Sequence, residues 1–124
     1  MNYFRITPLR NEQLGFTRDA VDYLIRFMVV QHTNRFSNPK RILVRVGITG
    51  PLQAVWFLRG LSSEKLPQIA LNKAYEFLLE KIEETPHLES EYTLELTSRN
   101  MPSTPPDVDE EPIILNEPRE FELA

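Results

Sequence analysis

Thr17-Arg18-Asp19-Ala20-Val21-Asp22-Tyr23-Leu24-Ile25-Arg26-Phe27-Met28-Val29-Val30-Gln31-His32 carries apolar side chains along most of its length. Val21, Leu24, Ile25, Met28 and His32 recur at helical spacing, flanked by Tyr23 and Phe27. Thr17 can cap such a helix, because its hydroxyl accepts from a free amide of the first turn. Asp19 then lies near the positive end of the helix dipole, and Asp22 and Arg26 stand four apart as a weak pair. Asn38-Pro39 ends the element. The stretch is therefore expected to be the first helix, although the β-branched content near Met28–Val30 also suits a strand.

Strands are expected on both sides of it. In Tyr3–Thr7, Phe4 and Ile6 alternate with Tyr3 and Arg5, and residues 8–16 read as a polar connection. Arg41–Ile48 has the clearest strand pattern, with Ile42, Val44, Val46 and Ile48 on one face and Arg41, Leu43 and Arg45 on the other. Gly47-Ile48-Thr49-Gly50-Pro51 signals a turn. Leu52–Arg59 alternates again, placing Leu52, Ala54, Trp56 and Leu58 opposite Gln53, Val55, Phe57 and Arg59. It reads as the second arm of a hairpin, with a short helix over 52–60 as the rival. A long helix begins at Ser62 or Ser63 and ends before Pro86. Pro67 lies in its first turn, and Leu71, Ala74, Tyr75, Leu78 and Ile82 form its buried stripe. Tyr92, Leu94 and Leu96 then alternate with Thr93, Glu95 and Thr97 as a last strand.

The resulting order, βαββαβ, implies an α+β fold of the ferredoxin-like kind, two helices on a four-stranded antiparallel sheet. It is followed by an acidic, Pro-rich C-terminal tail. The division falls near residue 100. Residues 1–63 hold nine Lys/Arg and three Asp/Glu, residues 64–100 four and eight, and residues 101–124 one and seven, which sum to the net −4. Pro102, Pro105, Pro106, Pro112 and Pro118 put half of the ten prolines in the tail. The prolines forbid a long helix there, and the acids resist collapse. Residues 1–100 are thus expected to form an interaction domain, and 101–124 a flexible or partner-bound segment. Its motif is Ile113, Ile114, Leu115, Phe121 and Leu123, a cluster that a purely solvated tail does not need.

Little in the chain suggests chemistry. Cysteine is absent, which excludes disulfides, thiolate metal sites and a cysteine nucleophile. No apolar run reaches the roughly 18 residues of a membrane helix, and Met1–Gln13 lacks the regions of a signal peptide. The four glycines form no phosphate loop. His32 and His87 are far apart in sequence and read as a core-edge and a solvated histidine. Glu76, Glu80 and Glu84 read as a solvated helix face. Asp107, Asp109, Glu110 and Glu111 lack the glycine and the final glutamate of an EF-hand loop. No enzyme, cofactor or metal is expected, and the location is expected to be cytoplasmic. The six residues Pro51-Leu52-Gln53-Ala54-Val55-Trp56 resemble a Pro-Pro-Leu-Ala-Ile-Trp stretch of the small Rubisco assembly chaperones. Those chaperones are all-helical, unlike the strand patterns here, so the resemblance assigns no family and no site.

If the helices cover the face bearing Phe4, Ile42, Val44, Trp56, Leu94 and Leu96, the other face is open. It is then expected to present Tyr3, Arg5, Arg41, Leu43, Arg45, Phe57 and Arg59 as a partner-binding surface, since arginine and aromatics are enriched at interfaces. The expected function is a small non-enzymatic adaptor or assembly factor, chaperone-like and bacterial, that binds a protein partner or a second copy. The alternative is a nucleic-acid-associated subunit of a larger ribonucleoprotein or phage-like assembly.

Overall fold

The structure is a computed structural model that describes residues 3–17, 19–33, 37–85, 87–106 and 111–122. It has a five-stranded mixed sheet in the order β4-β3-β2-β1-β5. The strands are β1 (Tyr3–Phe16), β2 (Ala20–His32), β3 (Ser37–Thr49), β4 (Glu91–Leu96) and β5 (Arg119–Glu122), with helices α1 (Gly50–Leu58) and α2 (Leu66–Glu84) between β3 and β4. β1, β2 and β3 form an antiparallel meander, β5 joins β1 antiparallel, and β4 runs parallel to β3.

The four-stranded antiparallel ferredoxin-like sheet is therefore incorrect, and two elements are responsible. The first is Ala20–His32, a strand rather than a helix. Val21, Tyr23, Ile25, Phe27 and Val29 are all buried, whereas Asp22, Leu24, Arg26, Met28 and Val30 face the other way. Period 2 governs this segment, and its β-branched and aromatic residues suit a pleated surface. The helical stripe arose because both faces of the strand carry apolar residues, so spacings of three and four also find apolar partners. The second is Gly50–Leu58, a helix rather than a hairpin arm. Pro51 occupies its first turn, and Leu52 and Trp56, one turn apart, are its buried residues. Its end is a Schellman motif: Leu61 N–H donates to the Trp56 carbonyl at 2.9 Å and Gly60 N–H to the Phe57 carbonyl at 3.0 Å. Gly60 supplies the left-handed residue, at φ 96°.

With α1 and α2 both between β3 and β4, the chain crosses over before its next strand. That crossover is why β4 lies parallel to β3. Residues 8–16, read from the sequence as a connection, instead continue β1 through two register shifts, at Pro8/Arg10 and Gln13/Gly15.

The long helix agrees closely with its pattern. Leu71, Ala74, Tyr75, Leu78 and Ile82 are buried, joined by Leu66, Ile69 and Ala70. Together with α1 it covers one sheet face and closes a single core around Trp56, Tyr23, Phe27 and Ile6. Asn11 Nδ2 donates to the Pro67 carbonyl at 2.9 Å and ties β1 to the start of α2.

Met101, Ile113 and Phe121 pack on this core. Ile113 is 6% exposed. Its N–H donates to Asn72 Oδ1 at 3.0 Å, and its carbonyl accepts from Gln68 Nε2 at 2.9 Å. Phe121 stacks on Phe4, with centroids 5.8 Å apart. Arg119 lies over the Tyr75 ring. Ile114 and Leu115 are exposed. Leu123 and the acids Asp107, Asp109 and Glu110 lie outside the described residues.

Candidate functional site

One face of the sheet meets the helices; among the described residues no element covers the other. Cross-strand register places its side chains. β2 and β3 pair Leu24 with Arg45, Arg26 with Leu43, and Met28 with Arg41. Directly paired residues share a face. The centre of the open face is therefore a grid in which arginine and aliphatic side chains alternate along each strand and across the pair. β1 adds Tyr3 opposite His32 and Arg5 opposite Val30.

Of the residues expected to form this surface, Tyr3, Arg5, Arg41, Leu43 and Arg45 lie together on the open face. Phe57 and Arg59 do not. The helical path of 50–58 carries them to the other side of the sheet, and Phe57 projects into solvent, 70% exposed. There it lines a cavity of about 280 Å³ with Phe16, Ala54 and Leu61. The residues that sequence reasoning missed are Leu24, Arg26 and Met28. A period-2 reading of Ala20–His32 would have placed them here.

The arginines of the face differ in their partners. Arg5 donates through Nε and Nη2 to Glu120 Oε1, at 2.8 and 2.6 Å. Arg10 reaches Glu12 at 3.4 Å. Among the described residues, Arg26, Arg41 and Arg45 form no ion pair. All three are exposed, while Leu24, Met28, Val30 and Leu43 beside them are half-buried. Arg26, Arg41 and Leu43 also line a shallow cavity of about 260 Å³, whose other walls include Leu9, Ser90 and Glu91. Ser90 and Glu91 border it where β4 begins, and Leu43 N–H donates to the Ser90 carbonyl at 2.9 Å.

The rings of this face are already engaged: Tyr3 and His32 stack with centroids 4.6 Å apart, and His32 Nδ1 is 2.8 Å from Ser37 Oγ. Glu95 and Asp22 approach each other over Gly47, where a Cβ would lie 2.7 Å from Glu95 Oε2 and 3.0 Å from Asp22 Oδ1. Among the described residues no three His, Asp or Glu side chains converge as a metal centre requires. No helix among them is long and apolar enough to cross a membrane. The two tyrosines with shifted acidities, Tyr23 and Tyr75, belong to the core, where burial raises both phenols above 10.0; the Arg119 guanidinium partly offsets this at Tyr75.

The face thus offers fixed positive charge and apolar area in alternation. No family model matches the chain, and neither a curated protein nor a solved structure matches it.

Proposed function

We propose that the protein is a small, non-enzymatic, cytoplasmic adaptor or assembly factor that binds another protein through the uncovered sheet face. One observation carries the reading: Leu24, Met28 and Leu43 lie half-buried among three arginines that form no ion pair among the described residues, on a face that no described element covers. Apolar area exposed in this way usually marks an interface. Arginine is enriched in such interfaces, because its stem packs while its fork makes hydrogen bonds.

Site-specific photo-crosslinking in the native host tests this. A photoreactive residue at position 43 should give discrete protein adducts, and one at Glu83 on the exposed side of α2 should not. Equal labelling from both positions, or none from position 43, would refute the reading.

A further inference from the structure

We propose that the occupant of this face is an acidic polypeptide segment whose carboxylates alternate with apolar side chains. The inference rests on the protein-binding reading above and specifies its partner's chemistry.

The grid sets the spacing. Along β3, Arg45, Leu43 and Arg41 stand two residues apart on one face, about 6.6 Å between neighbours. Arg26 lies on β2 beside Leu43, diagonal to both Arg41 and Arg45, about 7–8 Å from each. An extended segment repeats its facing side chains at the same interval. A pattern of acid, apolar, acid at alternate positions therefore meets Arg45, Leu43 and Arg41 in turn. Arg26 and the cavity it shares with Arg41 and Leu43 receive a carboxylate from the side, with Glu91 on the far wall.

Charge selects among occupants. Arg26, Arg41 and Arg45 lack ion pairs within the described chain, so their charge is available to a partner. A second copy packed face to face either lays the arginine cluster over its own mate, a juxtaposition that costs affinity, or lays each arginine over the mate's Leu24, Met28 or Leu43 and leaves its charge unpaired. A nucleic-acid strand fits less well. A backbone crossing the sheet from the basic centre meets Glu91 and Glu95 on β4 or Glu120 and Glu122 on β5. The positions beside the arginines on β2 and β3 are Leu24, Met28 and Leu43, which offer no ring for a base to stack on, and Tyr3 and His32 are already stacked together. A short acidic segment with aliphatic side chains satisfies both halves of the grid.

The test is a titration of the isotope-labelled full chain, followed by NMR, with a synthetic peptide Glu-Ser-Leu-Ser-Glu-Ser-Leu-Ser-Glu. Its Gln-for-Glu and Ser-for-Leu counterparts and an oligothymidylate serve as comparisons. The peptide should shift the resonances of Leu24, Arg26, Met28, Arg41, Leu43 and Arg45, and bind less tightly as salt rises. Loss of three exposed pairs should weaken it by roughly tenfold or more, both with the Gln peptide and with the triple variant Arg26→Ser, Arg41→Ser, Arg45→Ser. The variant's shift dispersion reports that the fold is kept. Equal binding of the Glu and Gln peptides at this face overturns the acidic preference and leaves the protein-binding reading standing. Tighter binding of the oligonucleotide at the same residues overturns both. Concentration-dependent shifts of these residues without ligand, with a dimer mass in light scattering, overturn the proposal in favour of a second copy. No shift with any probe overturns it as well, and the crosslink from position 43 then judges the broader reading separately.

Discussion

The indole Nε1 of Trp56 donates to the Pro102 carbonyl at 2.9 Å, joining the only tryptophan of the chain to the segment that follows β4. The indole is fully buried, 0% exposed. Trp56→Phe should cost about 1–3 kcal/mol, through the lost hydrogen bond and the smaller ring, and Trp56→Ala about 3–5 kcal/mol. Urea denaturation followed by circular dichroism measures both. A cost below 1 kcal/mol for the alanine variant would contradict the burial described.

Ile113 fixes the C-terminal segment at a point where both its side chain and its peptide groups are engaged. Ile113→Ala should destabilise by about 2–4 kcal/mol if the segment unfolds with the rest. If it detaches first, hydrogen exchange should accelerate over 119–122 while the β2 and β3 amides keep their protection.

Two glycines should respond differently to alanine. Gly60 sits at φ 96°, so Gly60→Ala forces a left-handed alanine and should cost about 1–2 kcal/mol. At Gly47 the added methyl meets only the ends of the Glu95 and Asp22 side chains, which can swing away, and the substitution reduces unfolded-chain entropy. Gly47→Ala should stay within about 1 kcal/mol of the parent. Thermal denaturation of the two variants side by side decides the contrast.

Tyr23 and Tyr75 should ionise above the usual tyrosine range, because burial disfavours the phenolate. A raised native value means that folding favours the neutral phenol. That stabilisation is complete below about pH 10 and is lost as pH climbs through the native value. Alkaline titration by ultraviolet absorbance should show a late component that shrinks in Tyr23→Phe and in Tyr75→Phe.

The contact between Arg5 and Glu120 is well aligned but exposed on both sides, 43% and 49%. Glu120→Gln should therefore cost under about 1 kcal/mol, and less at high salt. A large, salt-insensitive loss in denaturation would show that β5 depends on this pair more than on Phe121 and Ile113.

Legibility in the sequence followed how one-sided each element is. Ser37–Thr49 and Leu66–Glu84 bury one face each, and their periods were plain. Ala20–His32 lies at the centre of the sheet with aliphatic residues on both faces, and so satisfied two periods at once. Gly50–Leu58 failed for a related reason: it buries only Leu52 and Trp56, and an alternating pattern shares those two positions with a helix. The open face was legible through Arg41, Leu43 and Arg45, whose strand was read correctly. Its other half was hidden with β2, and Phe57 and Arg59 left the face with α1. The docking of Ile113 and Phe121 depends on partners far away in sequence, so only the apolar cluster itself was visible.

The pairing of β5 with β1 also bears on how the chain is made. Arg5 and Glu120 are 115 positions apart, so a growing chain finishes its meander and helices well before the strand that flanks Tyr3–Ile6 exists. Until residues 119–122 emerge from the ribosome, the start of β1 is an uncapped sheet edge, free to pair with whatever extended chain is near. β5 thus closes the edge of β1 only after β2, β3 and β4 have been made, and a nascent chain stalled before residue 119 would carry an adhesive edge that β5 otherwise covers.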